Sequence, residues 1–82
     1  MRLPRDIGAD DLIRGLRRYG YEVIRRTGSH VRLTTTVNGE HHVTIPGHNV
    51  LRVGTLQAIL KDIAKHLDRD WQVLMQELFA DR

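Results

Sequence analysis

The stretch that decides the fold is residues 30–46, which read HVRLTTTVNGEHHVTIP. Two β-prone runs flank Asn38-Gly39, and that dipeptide is the strongest short hairpin signal a sequence can carry. A two-residue turn there would put Val43 on the face opposite Leu33 and leave both faces half apolar. A three-residue loop with Gly39 left-handed in a bulge pairs Leu33 with Val43, so we predict that register.

A third strand precedes this hairpin. Residues 21–26 are β-prone and lead into Thr27-Gly28-Ser29, which we predict as a three-residue turn that pairs Arg26 with His30. The predicted inner face then carries Val23, Val31, Leu33, Val43 and Ile45. The predicted outer face is polar and cationic, with Ile24, Arg26, His30, Arg32, Thr34, His42 and Thr44.

Helical patterns flank the strands on both sides. The first helix starts at Asp10-Asp11 and ends at a left-handed Gly20, and Gly15 inside it predicts a close approach by another element. Residues 1–8 before it read as an arm with little structure. A second helix carries Leu56, Ile59, Leu60, Ile63 and Leu67.

A last helix is predicted with Asp68 as its N-cap. Its apolar stripe consists of Trp71, Leu74, Met75 and Leu78, and either core packing or a partner contact explains it. The order is therefore α-β-β-β-α with an extra C-terminal helix. It predicts an α+β fold in which a three-stranded antiparallel sheet has helices on one face and the other face bare.

Composition bounds the classes of function. At 82 residues the chain is one domain, residues 1–82, without room for a second core. The absence of cysteine excludes disulfides, thiolate nucleophiles and zinc sites with cysteine ligands. No apolar run approaches the ~20 residues of a membrane span, so we expect a cytoplasmic protein with no membrane partner.

Positive charge is concentrated in one half of the chain. Residues 1–34 hold eight arginines and four acidic residues, whereas the remainder holds five basic and six acidic residues. Arginine suits bidentate contacts with phosphate. A polyanion or an acidic protein would therefore meet the first half, although the charge taken alone favours a solvated helix and strand surface.

His30 is the leading candidate for chemistry. It follows a tight turn, lies outside any apolar stripe and is surrounded by arginines. An imidazole both takes and gives a proton near neutral pH, which is what cleavage of an RNA phosphodiester requires. A surface histidine beside a turn is the plain alternative.

Other constellations are weaker. His41 and His42 are adjacent on a strand and point to opposite faces, so they cannot share a metal with His48, and we predict no metal and no cofactor. Neither Ser29 nor Thr55 has the neighbours of a covalent nucleophile. No helix clusters base-reading side chains as a DNA-binding module would.

The ordered motifs Gly28-Ser29-His30, Pro46-Gly47-His48 and Gly54-Thr55-Leu56 with Ile59-Leu60-Lys61 resemble the HicA (YcfA-like) toxin family of type II toxin–antitoxin systems. The resemblance covers about residues 8–67 and leaves about 68–80 as a helical extension. It implies a fold like the double-stranded RNA-binding domain. The family often carries several lysines after the Pro-x-His motif, whereas residues 48–52 here hold one cation.

The resemblance also implies a function. HicA-like toxins are small ribonucleases that cut mRNA and are blocked by a HicB antitoxin, and the family's catalytic histidine corresponds to His30. We therefore expect a metal-independent endoribonuclease with Arg26, Ser29 and Arg32 at the RNA, Gly28 shaping the turn and His42 as a possible auxiliary proton carrier. DNA would be met only through the antitoxin. The rival is a non-catalytic RNA-binding or antitoxin-binding module with the same fold.

Overall fold

The computed structural model describes residues 6–80 and shows the predicted α+β fold, with a three-stranded antiparallel sheet and three helices. Helix α1 spans Ala9–Leu16 and continues as a 3₁₀ turn over Arg17–Tyr19. The three strands are β1 (Glu22–Arg26), β2 (His30–Thr35) and β3 (His41–Pro46). Two further helices follow, α2 (Val53–Leu67) and α3 (Trp71–Phe79). The strand order is β1-β2-β3, so the sheet is a meander with β2 at its centre.

The segment before α1 is packed where we predicted little structure. Residues 1–5 of the predicted arm lie outside the described residues. Ile7 is fully buried, and its carbonyl accepts a hydrogen bond of 2.7 Å from the Leu51 amide. A single large aliphatic side chain in a polar segment gives no periodicity, which is why the sequence pattern missed this contact.

The β2–β3 hairpin has the predicted register. Gly39 is left-handed, with φ 99°, as the bulged loop requires. Asn38 is also left-handed, with φ 59°, a conformation that asparagine tolerates better than most residues. Both predicted cross-strand pairs form, Leu33 with Val43 and Val31 with Ile45.

The β1–β2 hairpin follows the prediction only in part. Val23 pairs with Leu33 as predicted, but beyond it the register shifts by one residue at a β-bulge, and Arg26 pairs with Val31. The predicted Arg26–His30 pair is therefore wrong. Bulges are common on edge strands such as β1, and a bulge inverts which side chains face the core beyond it.

The two faces of the sheet differ in burial as predicted. Val23 lies on the inner face yet stays 38% exposed, because β1 is an edge strand whose residues are all exposed. On the outer face Arg32 is exposed as predicted, but Thr34 is half-buried and its hydroxyl donates to the His41 carbonyl at 3.2 Å. The remaining inner-face side chains are at most 5% exposed: Val31, Leu33, Val43 and Ile45.

All three helices contribute to the core that covers the inner face. From α1 it takes Leu12, Ile13 and Leu16, from α2 Leu56, Leu60 and Ile63, and from α3 Leu74, Met75 and Phe79. The stripe of α3 is thus used largely within the chain, although Trp71 and Leu78 are only half-buried. Gly15 permits the predicted close approach, because a Cβ there would lie 3.0 Å from the Leu78 Cδ2 atom.

The predicted cap of α3 is corrected by two residues. Asp68 is left-handed, with φ 56°, and ends α2. Asp70 is the N-cap, and its carboxylate accepts hydrogen bonds from the amides of Gln72 at 2.7 Å and Val73 at 3.3 Å. Both aspartates satisfy a capping pattern, so the choice depends on where α2 ends.

Candidate active site

The turn that carries His30 is closed by Thr27. The Thr27 amide donates to the His30 carbonyl at 2.9 Å, and the Thr27 hydroxyl lies 3.2 Å from both the amide nitrogen and the carbonyl oxygen of His30. Sequence reasoning missed Thr27, although a hydroxyl residue before Gly-Ser is a known turn signal. Gly28 does not have its predicted role: its φ is not left-handed, and a Cβ there would meet nothing within 4 Å.

His30 presents an exposed imidazole at the end of β2, on the same face as Arg32. The Ser29 hydroxyl lies 3.0 Å from Nδ1 of that ring. Within residues 6–80, Nε2 of His30 makes no hydrogen bond. Ser29 was predicted to position the turn, but its hydroxyl contacts the ring instead, and Nε2 faces no competing protein partner among the described residues.

The arginine beside Arg32 on the outer face is Arg25 rather than Arg26. Arg25 pairs directly with Arg32 across the strands, and directly paired residues point to the same face. Arg32 is two residues from His30, or about 7 Å along the strand. Arg26 pairs with Val31, so it lies on the inner side of the sheet, and the prediction that it flanks His30 on the outer face is wrong.

His42 is too far away to share a phosphate with His30. It pairs with Thr34, which is four residues from His30 and therefore about 13 Å along β2. Its Nε2 lies 3.5 Å from a Glu40 carboxylate oxygen at the exposed surface. The register thus contradicts the prediction of His42 as an auxiliary proton carrier.

His41 lies on the inner side at the other end of the sheet and belongs to a cluster of Tyr21, His41, Asp62 and His66, which we call the His41 cluster. The Tyr21 hydroxyl lies 2.8 Å from His41 Nδ1, and His41 Nε2 lies 3.4 Å from an Asp62 oxygen. The His66 ring stacks on the His41 ring with 4.4 Å between centroids. Burial, and secondarily the charge of Asp62, raise the pKa of Tyr21 to about 12.

Residues 6–80 contain no group of three or more histidine, cysteine or acidic side chains arranged to hold a metal ion. As predicted, the adjacent residues His41 and His42 lie on opposite faces, the first half-buried and the second exposed. Over the same described range, no helix is long and apolar enough to cross a membrane. The cytoplasmic location stays a prediction.

A family comparison bears on this site. The model of a family described as the HicA toxin of bacterial toxin–antitoxin systems matches residues 9–64, more than half of the chain. The chain belongs to the HicA toxin family. Searches of curated proteins and of solved structures find no match.

Family membership makes the protein a toxin of a toxin–antitoxin system. HicA toxins pair with an antitoxin and are generally endoribonucleases. The matched range runs from the start of α1 almost to the end of α2, so it contains the whole sheet and the turn of His30. Helix α3 lies beyond the match, although it packs into the same core.

Proposed function

We propose that this HicA toxin is a metal-independent endoribonuclease that cleaves mRNA, with His30 as its catalytic residue. The observation that carries the proposal is the geometry of His30: an exposed imidazole on a hydrogen-bonded turn, with one ring nitrogen beside Ser29 and the other unbonded within residues 6–80. A histidine held in this way serves little structural purpose, and the turn lies within the range that matches the HicA family.

The chemistry is attack of a ribose 2′-hydroxyl on the adjacent phosphorus. The 2′-oxygen forms a bond to phosphorus and the bond from phosphorus to the 5′-oxygen breaks, which leaves a 2′,3′-cyclic phosphate and a 5′-hydroxyl. His30 Nε2 accepts the proton of the 2′-hydroxyl or donates one to the departing 5′-oxygen, a contribution of typically 10²–10⁴ in rate. Side chains and water supply every proton, so the proposed reaction needs no cofactor.

The phosphate is met by Arg25 and Arg32 on the outer face. The two guanidinium groups start from directly paired positions beside His30, and both side chains are exposed. Cations aimed at the charge that develops on a phosphoryl group in the transition state lower the barrier. Ser29 remains a proposed RNA contact, with its hydroxyl also orienting the His30 ring.

The proposed partner is a HicB-type antitoxin that covers His30, with DNA met only through that antitoxin. An acidic surface suits the arginines of the outer face, and a specific interface of at least ~1,000 Å² would occlude the turn. Helix α3 offers the antitoxin little apolar surface for an additional contact, because its side chains Leu74, Met75 and Phe79 are buried in the core.

The decisive experiment is cleavage of a single-stranded RNA by the purified protein in EDTA, compared with His30→Ala and with His42→Ala as the matched outer-face control. We expect product with a cyclic phosphate end from the native chain and from His42→Ala, and at least a 100-fold lower rate for His30→Ala. RNA binding without cleavage in any of the three would establish the rival function, a non-catalytic module.

A further inference from the structure

A polar pocket lies on the helix-bearing side of the turn that carries His30. It is lined by Gly8, Ala9, Asp10 and Asp11 at the start of α1, by Arg26 of β1, and by Gly47, His48 and Asn49 of the loop after β3. The pocket holds the arginine that the bulge in β1 turned away from the outer face. It shares a wall with the catalytic turn, since the Gly47 amide donates to the Ser29 carbonyl at 2.9 Å.

The pocket wall is held in place by backbone hydrogen bonds. The Ala9 amide donates to the His48 carbonyl at 3.0 Å, and the Leu51 amide donates to the Ile7 carbonyl at 2.7 Å. Gly8 allows this contact, because a Cβ there would lie 2.1 Å from the Asn49 carbonyl oxygen. A site fixed in this way loses little conformational entropy when a ligand binds.

Two side chains of opposite charge in this pocket are unpaired. Within residues 6–80, neither Asp10 nor Arg26 makes an ion pair or a side-chain hydrogen bond, and both are exposed. Two amides at the start of α1 are already used, with Gly8 donating to the Asp11 carboxylate at 2.9 Å and Ala9 donating to the His48 carbonyl at 3.0 Å. Arg26 is the arginine among the residues that line this pocket, so its guanidinium would meet an anion there.

We propose that this pocket binds the nucleotide next to the scissile phosphodiester, with Arg26 on its phosphate and Asp10 on the donor edge of its base. This inference rests on the proposed ribonuclease function. A nucleotide carries an anion and hydrogen-bond donors at separate places, which is what an unpaired guanidinium and an unpaired carboxylate require. Guanine fits Asp10 best, since its N1–H and N2–H groups match the two oxygens of a carboxylate, and Asn49 lines the same pocket.

The inference gives Arg26 a role different from that of Arg25 and Arg32. Arg26 lies across the turn from the outer face, so the RNA strand passes over the turn, with the reacting phosphate at His30 and its neighbour in the pocket. Sequence-specific recognition of RNA uses unstacked bases in single strands, whose Watson–Crick edges are free to meet side chains. Base preference in cleavage would then originate here.

The test has a binding arm and a cleavage arm. Binding uses a single-stranded RNA with a 2′-deoxy sugar at the scissile position, so that it does not depend on catalysis. Four full-length proteins are compared: the native chain, Arg26→Ala, Asp10→Asn, and Arg14→Ala as an exposed arginine of α1 outside the pocket. We expect Arg26→Ala to weaken binding at least fivefold and to lower the salt dependence by about one phosphate contact, with Arg14→Ala close to native.

The cleavage arm maps cut sites over a random RNA pool. The native chain should favour guanine at one position beside the cut, and Asp10→Asn should reduce that preference about tenfold, in line with the discrimination of a bidentate base contact. Native base preference in Asp10→Asn, or equal salt slopes for Arg26→Ala and Arg14→Ala, would overturn the pocket. If both variants weaken binding of a purified antitoxin and leave RNA binding unchanged, the pocket is a protein site and the inference is wrong.

The two arms separate the two proposals. Loss of RNA binding in Arg26→Ala with no cleavage by the native chain would leave the nucleotide pocket standing and overturn the ribonuclease. If the native chain cleaves RNA and neither pocket variant has an effect, the ribonuclease proposal would stand and the nucleotide pocket would be overturned. Thermal unfolding of each variant confirms that Asp10→Asn and Arg26→Ala remain folded during the measurements.

Discussion

A histidine lies at each end of the sheet, and the two histidines differ in how many of their ring nitrogens contact other groups of the protein. At one end, the exposed His30 contacts Ser29 through one ring nitrogen, and the other nitrogen has no partner within residues 6–80. At the other end, His41 contacts the Tyr21 hydroxyl through one nitrogen and Asp62 through the other, and its ring stacks on His66. The first histidine has a ring nitrogen available for a substrate, whereas the second is occupied by the fold.

Hydrogen-bond donors and acceptors explain this division. His66 Nε2 lies 2.9 Å from the Val37 carbonyl oxygen and 3.0 Å from that of Gly39, and carbonyls only accept, so this nitrogen carries the proton. His41 has a partner at each ring nitrogen: Nδ1 lies 2.8 Å from the Tyr21 hydroxyl, and Nε2 lies 3.4 Å from an Asp62 oxygen. The His41 cluster therefore ties the β2–β3 loop to α2, and both ring nitrogens of His41 have partners within the fold.

The largest expected effect comes from exchanging the two histidines for alanine. His30→Ala should lower the rate of RNA cleavage at least ~100-fold and leave the melting temperature within about 2 °C, since no buried contact is lost. His41→Ala should do the opposite. It leaves the buried Tyr21 hydroxyl without its hydrogen-bond partner, at a cost of about 1–3 kcal/mol, or roughly 5–20 °C in a domain of this size.

Cleavage rates and thermal unfolding of both variants check this prediction. The rate for His41→Ala must be measured well below its own melting temperature, so that lost folding is not mistaken for lost catalysis. If His41→Ala abolished cleavage at unchanged stability, the division between the two ends would be wrong and the His41 cluster would be part of the active site.

The second prediction is alkaline destabilisation through Tyr21. Its pKa is raised from 10.0 to about 12 in the folded protein, so the unfolded chain loses this proton first as the pH rises. The stability contributed by the neutral hydroxyl is complete below pH 10 and is lost as the pH rises to about 12, a change on the order of 2 kcal/mol. Urea unfolding from pH 9 to 12 measures it.

Two tyrosine variants isolate this contribution. Tyr21→Phe has no such proton and should show a smaller loss of stability over the same pH range. Tyr19→Phe, which removes a hydroxyl bound to Glu77 at 2.6 Å, keeps Tyr21 and should retain the full loss. Identical pH profiles for the native chain and Tyr21→Phe would show that Tyr21 is not held neutral by its surroundings.

A smaller effect is expected where His66 holds the hairpin loop. His66→Ala removes the donor to Val37 and Gly39 and should cost about 1–2 kcal/mol, with faster amide hydrogen exchange in the loop and cleavage unchanged. Asn38→Gly keeps the left-handed backbone and removes only the side-chain bond to the His66 carbonyl, so its cost should be smaller. A larger cost for Asn38→Gly would contradict the role given to the His66 ring.

The sequence predicted one hairpin fully and the other in part, and the reason is physical. In the β2–β3 hairpin both strands have one buried face, so a slip by one residue would expose Leu33 or Val43, and periodicity specifies the register. In β1 all five residues are exposed, so no burial opposes the bulge after Val23. The assignment of Arg26 to the outer face was wrong for this reason.

The candidate site shows the same limit. His30 was identifiable because its residue type is unexpected beside a turn. The partners of His41 depend on tertiary contacts with Tyr21 and with Asp62 and His66 of α2, and these polar side chains form no periodic pattern in the sequence. The sequence of α3 alone did not show whether its apolar stripe packs in the core or contacts a partner. The answer depends on packing against Gly15 and the rest of α1, which the sequence of α3 does not indicate.

The smallest expected effect is that of His42, which tests whether position on the outer face is enough to make a histidine functional. His42→Ala should change the rate of cleavage less than about twofold, because the register places it about 13 Å from His30. Stability should stay within about 0.5 kcal/mol, since the exposed contact with Glu40 at 3.5 Å contributes little. If His42→Ala cleaved a short RNA tenfold more slowly, the substrate would have to span the sheet from one end to the other. His42 would then belong to the active site together with His30, and the contrast between the two ends of the sheet would be wrong.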